Sequence, residues 1–232
     1  YESEAIILKE FSKFFLNGSL YQGSKPVMWS PIEKTALAEA EIEYHDIDTT
    51  SIYVAFKVKS SPNKLLENTS VVIWTTTPWT IPGNRAIAFG DSIDYCIFKV
   101  RESKNDLIKD NKYLVAKSLL EEVCEICNIK KFELVQEIKG EELNNTICYH
   151  PFSKIGFDYD VPLLKAVFVE DSEGTGFVHI APCYGEDDYY LALDNNIVIK
   201  DIVKDDGCYR DNTPVFAGIH VFKAHLSVIE KL

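Results

Sequence analysis

A β-branched and aromatic run, Val71-Val72-Ile73-Trp74, feeds directly into three threonines, Thr75-Thr76-Thr77. The chain then reads Pro78-Trp79-Thr80-Ile81-Pro82-Gly83-Asn84-Arg85. The first four residues suit a buried strand, because branched and aromatic side chains pack on a pleated surface. Pro78 and Pro82 fix φ and remove two backbone donors, so no regular strand continues and the segment from Thr77 to Asn84 must turn. Hydroxyls and backbone polar groups are thereby gathered at the mouth of a strand, which is one way to floor a polar pocket. A strand followed by a threonine-rich loop with no further role fits the same residues.

The surrounding pattern is rich in short strands. Ser51–Val58 alternates apolar and polar residues and needs a partner, for which Glu41–His45 is the nearest candidate. Lys25–Trp29, Ala86–Phe89, Tyr95–Val100, Tyr113–Val115, Phe132–Ile138, Ile147–Tyr149, Leu163–Val169 and Gly176–Ala181 read as further extended segments, with Ile197–Val203 and Gly218–Val221 closing the core. Helical periodicity is confined to Ala5–Phe15, Ser118–Cys127, about Gly185–Leu193, and Phe222–Leu232. The expected fold is therefore α+β, β-rich and barrel-like with peripheral helices. Both ends are apolar and helical, so the chain reads as an excised piece: a leading segment over 1–45 including a first strand, a core over 46–221, and a closing helix over 222–232.

Charge narrows the function. The net charge is −12 with only three arginines, so bulk electrostatics cannot hold a polyanion and any nucleic-acid contact must be local or come from another domain. No run approaches the ~18 apolar residues of a membrane span, and Tyr1-Glu2-Ser3-Glu4 is not a secretory leader, so the expected location is the cytoplasm. Cys124-Glu125-Ile126-Cys127 could be a redox pair or half of a zinc site, but no second C-x-x-C or C-x-x-H follows it. It is read as a pair of reduced structural thiols.

A second dense stretch runs from Glu173 through Gly174-Thr175-Gly176-Phe177-Val178-His179-Ile180-Ala181-Pro182 to Asp188. A short strand presents His179, Pro182 stops it, and a helix opens with Glu186, Asp187 and Asp188, where acids suit the helix dipole. An aspartate at a pocket edge can hold an ammonium group, and a histidine there can donate, accept or form a wall. A helix-terminal acid and a satisfied core histidine are the plainer alternatives.

Together, W-T-T-T-P-W-T-I-P-x-N at Trp74–Asn84 and G-T-G-x-V-H-I-A-P-x-x-G-E-D-D-Y at Gly174–Tyr189 resemble isoleucyl-tRNA synthetase, in particular the editing domain inserted into its catalytic body. Lys25–Pro31 and Thr35–Tyr44 resemble the approach to that insertion, so the likeness covers most of the chain. The valyl and leucyl enzymes resemble T-T-R-P-E-T and T-T-R-P-D-T here, whereas this chain has Thr77 and Trp79 in place of the arginine and the acid. H-I-G-H and K-M-S-K-S, the signatures of amino-acid activation, are absent from these 232 residues.

The resemblance implies hydrolysis of valyl-tRNA(Ile), with valyl-adenylate as a second substrate. A non-catalytic tRNA 3′-end module and a free-standing deacylase are the alternatives. It implies that Thr76 and Thr77 contact the substrate and position water, that Asp188 holds the α-ammonium, and that Thr75, Trp79, Asn84 and His179 line the pocket. It also implies a monomer whose partners are the tRNA 3′-terminal adenosine and the rest of the synthetase. Editing would need no metal or cofactor; ATP, and zinc as a further candidate, would belong to the full-length enzyme.

Overall fold

In the computed structural model, which describes residues 1–232, the chain opens with helix α1 (Glu2–Leu16) and a small hairpin of β1 (Trp29–Ser30) and β2 (Thr35–Ala36). The first buried side chain in the sequence is Val54. The apolar stripe of α1 is real, but Ile7, Phe11 and Phe15 all lie exposed.

β3 (Ile52–Ser60) buries Val54, Phe56 and Val58 and turns Ala55, Lys57 and Lys59 outward, as its alternation requires. The strands that follow are β4 (Thr69–Thr75), β5 (Ala86–Phe89), β6 (Asp94–Ser103), β7 (Lys112–Ala116), β8 (Ile129–Lys139), β9 (Ile147–Tyr149), β10 (Asp160–Lys165) and β11 (Phe177–Ile180). Helices α2 (Leu120–Ile126), α3 (Glu186–Asp194) and α4 (Ala224–Ile229) flank them. One mixed sheet runs in the order β11-β5-β10-β9-β3-β4-β7-β6-β8.

This architecture is the expected α+β, β-rich class. The ladder begins at β11 and ends at β8 without strand pairing between those two, yet it curls. The Ala116 amide at the end of β7 donates to the Thr175 carbonyl just before β11 (2.8 Å). Tyr95 of β6, fully buried, donates its hydroxyl to the Gly176 carbonyl (2.7 Å) and packs its ring 4.6 Å from that of Phe177. Gly176 has φ +74°, and a Cβ there would sit 2.4 Å from the Ala116 Cβ, so only glycine permits this approach.

Several segments differ from the sequence reading. Glu41–His45 is not the partner of β3; Glu39–Glu41 forms a single 3-10 turn, and β3 is already flanked by β4 and β9. The strand expected over Leu163–Val169 lies earlier, at Asp160–Lys165, where it pairs with β5 and β9. Ile197–Val203 and Gly218–Val221 are irregular and contribute only the isolated bridges Val203↔Tyr209 and Cys208↔His220. The final helix is shorter than its periodicity suggests, but it buries Ala224 and Val228 and packs against the Pro78–Gly83 turn.

Candidate active site

β4 lies inside the sheet between β3 and β7, so Val71 and Ile73 are fully buried and Thr75 ends the strand at the edge of the core. Beyond it, Pro78–Gly83 is a 3-10 segment made of two successive turns. The Thr80 amide donates to the Thr77 carbonyl (2.9 Å) and the Asn84 amide to the Ile81 carbonyl (3.0 Å). Each proline takes the second position of its turn, where its preset φ fits and no amide proton is needed.

The turn is held from all sides. Arg85 donates its amide to the Ile180 carbonyl of β11 (2.8 Å), and the register of that pair sets His179 opposite Ile87. Three ring side chains from elsewhere reach its carbonyls: Tyr209 donates to Trp79 (2.5 Å), Tyr159 to Asn84 (2.9 Å), and His150 Nε2 to Ile81 (3.0 Å). Thr49 donates its hydroxyl to the Thr76 carbonyl (2.9 Å).

Within this frame the hydroxyls form a chain. The Asn84 amide nitrogen donates both to the Ala86 carbonyl and to His179 Nδ1, each at 2.8 Å. Accepting at Nδ1 leaves His179 neutral with its proton on Nε2, which donates to Thr80 Oγ1 at 3.0 Å. Thr80 donates in turn to the Thr77 carbonyl (2.9 Å), and its oxygen lies 3.4 Å from Thr77 Oγ1. Thr77 Oγ1 is 3.2 Å from Thr75 Oγ1, which accepts the Thr77 amide (3.1 Å). The chain thus runs from the fully buried Asn84 to the exposed Thr77. Burial pushes the His179 pKa down to about 4, in line with a neutral ring bonded at both nitrogens.

Asp188 stands in the first turn of α3 and accepts the Ala181 amide at 2.7 Å, which ties it to the end of β11 two residues past His179. Burial raises its pKa, and the Ala181 amide opposes that shift. A Cβ at Gly185 would lie 2.9 Å from the Asp188 Cγ, so the N-cap glycine leaves room for this carboxylate.

Thr75, Thr77, Asn84 and His179 therefore share one network. Trp79 belongs to the same turn, with its ring 5.0 Å from that of Tyr184, and Asp188 joins through the backbone of β11. Thr76 is half-buried, and its carbonyl rather than its hydroxyl is engaged. Sequence reasoning did not assign Thr80, the link between Thr77 and His179, although it sits in the same motif. It had no local signal for Tyr159, His150 or Tyr209, whose bonds to the turn span 69 to 130 residues. Cys124 is buried on α2 with its pKa pushed up to about 12, and burial also raises that of Cys127, so both are thiols at neutral pH.

A hydroxyl-lined turn and a carboxylate thus lie together at the strand ends of a curled mixed sheet. Residues 1–217 match the family described as tRNA synthetases class I (I, L, M and V), and the chain belongs to that family. Within it, the chain is 49% identical over 232 residues to the isoleucine–tRNA ligase of Pelagibacter ubique and 48% identical over 228 residues to that of Gluconobacter oxydans. These alignments cover 100% and 97% of this chain and 25% and 24% of those proteins, so the chain spans about a quarter of the length of these relatives. The solved GlLeuRS-CP1 structure shares the fold, with a TM-score of 0.57 at 15% identity, covering 77% of this chain and 94% of that one.

Proposed function

We propose that this chain is the editing domain of an isoleucyl-tRNA synthetase and hydrolyses the ester of valyl-tRNA(Ile), with valyl-adenylate as a second substrate. The observation that carries the reading is the hydroxyl chain from Asn84 through His179 and Thr80 to the exposed Thr77, with Asp188 anchored to the same strand end. The near-half identity to isoleucine–tRNA ligases supports it.

The need for such a site is energetic. One methylene in an apolar pocket is worth about 1–3 kcal/mol, or about 10–200-fold, a magnitude established on this very class of synthetase, so a second size-selective step is required. In our reading Asp188 pairs with the α-ammonium of valine and so orients the ester carbonyl. Thr76 and Thr77 contact the substrate and hold the attacking water. Thr75, Trp79 and Asn84 line the pocket, while His179 stiffens its wall through Thr80 and Asn84.

The water oxygen bonds to the ester carbon, the bond to the ribose oxygen breaks, and the water proton passes to the ribose. The products are valine and tRNA. An ester is already activated, so positioning can supply most of the rate. No side chain here is a strong base at neutral pH, and we assign the proton relay to a ribose hydroxyl.

We assign no cofactor to the hydrolysis, and place ATP, and zinc as a further candidate, with the rest of the synthetase. In the same reading the domain works as a monomer in the cytoplasm. Residues 1–45 and 222–232 join its core to the catalytic body, and its partner is the 3′-terminal adenosine of tRNA(Ile). The test is deacylation of valyl-tRNA(Ile) by the wild type and by Asp188→Ala. The variant is expected to lose turnover while keeping its fold, and turnover at the wild-type rate would refute the ammonium anchor.

A further inference from the structure

Past the threonine turn the molecule holds a cavity of about 520 Å³ whose walls include Pro82, Arg85, Tyr159, Asn196, Lys200 and Asn212. Arg85 is its distinctive member. The other two arginines carry carboxylate partners, Arg101 with Glu133 and Asp110, and Arg210 with Asp201. Arg85 has no carboxylate within 4.0 Å, although acids outnumber bases 36 to 24 in this chain. Its guanidinium lies 4.3 Å from the centre of the Tyr159 ring, and its buried Nε has no hydrogen-bond partner. Asp160 also lines the cavity, but Lys59 neutralises it.

A half-buried cation with an orphaned donor, stacked on an aromatic ring beside a lysine and two side-chain amides, has the features of an anion site. The planar guanidinium fork matches a phosphate, which it can bind through two parallel hydrogen bonds. Pro82 belongs to the threonine turn and Arg85 directly follows Asn84, so a ligand spanning the turn could meet both features.

We propose that this cavity is a phosphate-ester subsite, which takes the 5′-phosphate of a nucleotide whose acyl ester lies at the threonine turn. The inference rests on the hydrolytic reading above and extends it to how an acidic chain holds an anionic substrate. The phosphate could come from the last nucleotide of an RNA strand or from an adenylate, and the chemistry of recognition is the same.

The test is calorimetric titration of the 232-residue chain with AMP, with adenosine, and with a short RNA hairpin ending in CCA. It uses the wild type, Arg85→Gln and Arg85→Lys, with Arg101→Gln as a control and thermal melts to verify folding. A charge-assisted contact of this kind is expected to favour AMP over adenosine by about tenfold to hundredfold. Arg85→Gln should abolish that preference, Arg85→Lys should keep part of it, and Arg101→Gln should leave it intact. Weakening of the hairpin alone assigns the subsite to an RNA strand, weakening of AMP alone assigns it to an adenylate, and weakening of both makes it general.

Undetectable binding of AMP and hairpin alike, or affinities for AMP and for the hairpin that are both unchanged in Arg85→Gln, overturns the proposal. Deacylation is measured in parallel. If the wild type does not hydrolyse valyl-tRNA, the functional reading fails, while the binding comparison still decides the subsite on its own.

Discussion

His179 and His150 are each bonded through both ring nitrogens, and burial lowers their pKa values to about 4 and about 3. Below their ordinary value of about 6.5, the unfolded chain binds protons at these two residues while the folded chain does not. Stability is therefore highest above pH 6.5 and is expected to decline as the pH falls toward 4. Asp188 acts in the opposite direction, because its folded pKa is raised, but it is one group against two. Thermal melts across that window check the sign, and a melting temperature that is flat or rises on acidification would contradict two neutral buried rings. Of the residues involved, His179 was visible in its motif, where a pocket wall and a satisfied core histidine were both open. The geometry makes it a strut between β11 and the threonine turn. His150 could not be singled out, since its neighbours Tyr149 and Pro151 belong to no recognisable pattern and its partner is Ile81.

At the level of elements, the threonine turn is a short irregular segment made rigid by donors it does not own. Tyr209 and Tyr159 are the clearest cases, because replacing either by Phe keeps the ring and removes only the hydroxyl. Each change leaves a carbonyl of the turn without its donor, at a cost of about 1–3 kcal/mol. We expect Tyr209→Phe to lower the midpoint of urea unfolding and to reduce kcat for deacylation more than it changes KM, since the exposed Thr77 hydroxyl loses its fixed position. A variant that is destabilised yet turns over normally would make the bond to Trp79 merely structural. The strand and turn were legible from Val71 to Asn84 because local chemistry dictates them: branched residues, then hydroxyls, then two prolines. Partnerships were not. The alternation of β3 called for a neighbour but could not say which, and the acid-rich Glu41–His45 lost to β4 and β9, which complete the sheet.

Across the whole molecule, the core and the first fifty residues are distinct. Nothing before Val54 is buried, and the leading segment touches the rest through a few polar contacts, such as Trp29 Nε1 donating to the Asp205 carbonyl (2.9 Å). Deleting residues 1–46, which retains Thr49 and β3, should therefore change the unfolding free energy by about 1 kcal/mol or less. Urea titration of the shortened chain checks this, and loss of cooperative unfolding would refute it. The closing segment differs, since Ala224 and Val228 lie in the core against the threonine turn. The α+β class was readable from the density of short strands. The curl of the sheet was not, because it depends on Gly176 lying against Ala116 and on Tyr95 reaching Gly176, contacts between residues far apart in sequence.

The bond from Tyr209 to the Trp79 carbonyl joins residues 130 positions apart, and the one from His179 to Thr80 joins residues 99 apart. During synthesis the threonines leave the ribosome well before either partner exists. Ordering so long an intervening segment is entropically slow, and non-local contacts of this kind form late. A nascent chain that has not yet made Tyr209 can hold much of the sheet and still lack a shaped site. Competence should therefore arrive near the end of translation of this segment, so that truncated products compete poorly with the finished protein for the same substrate.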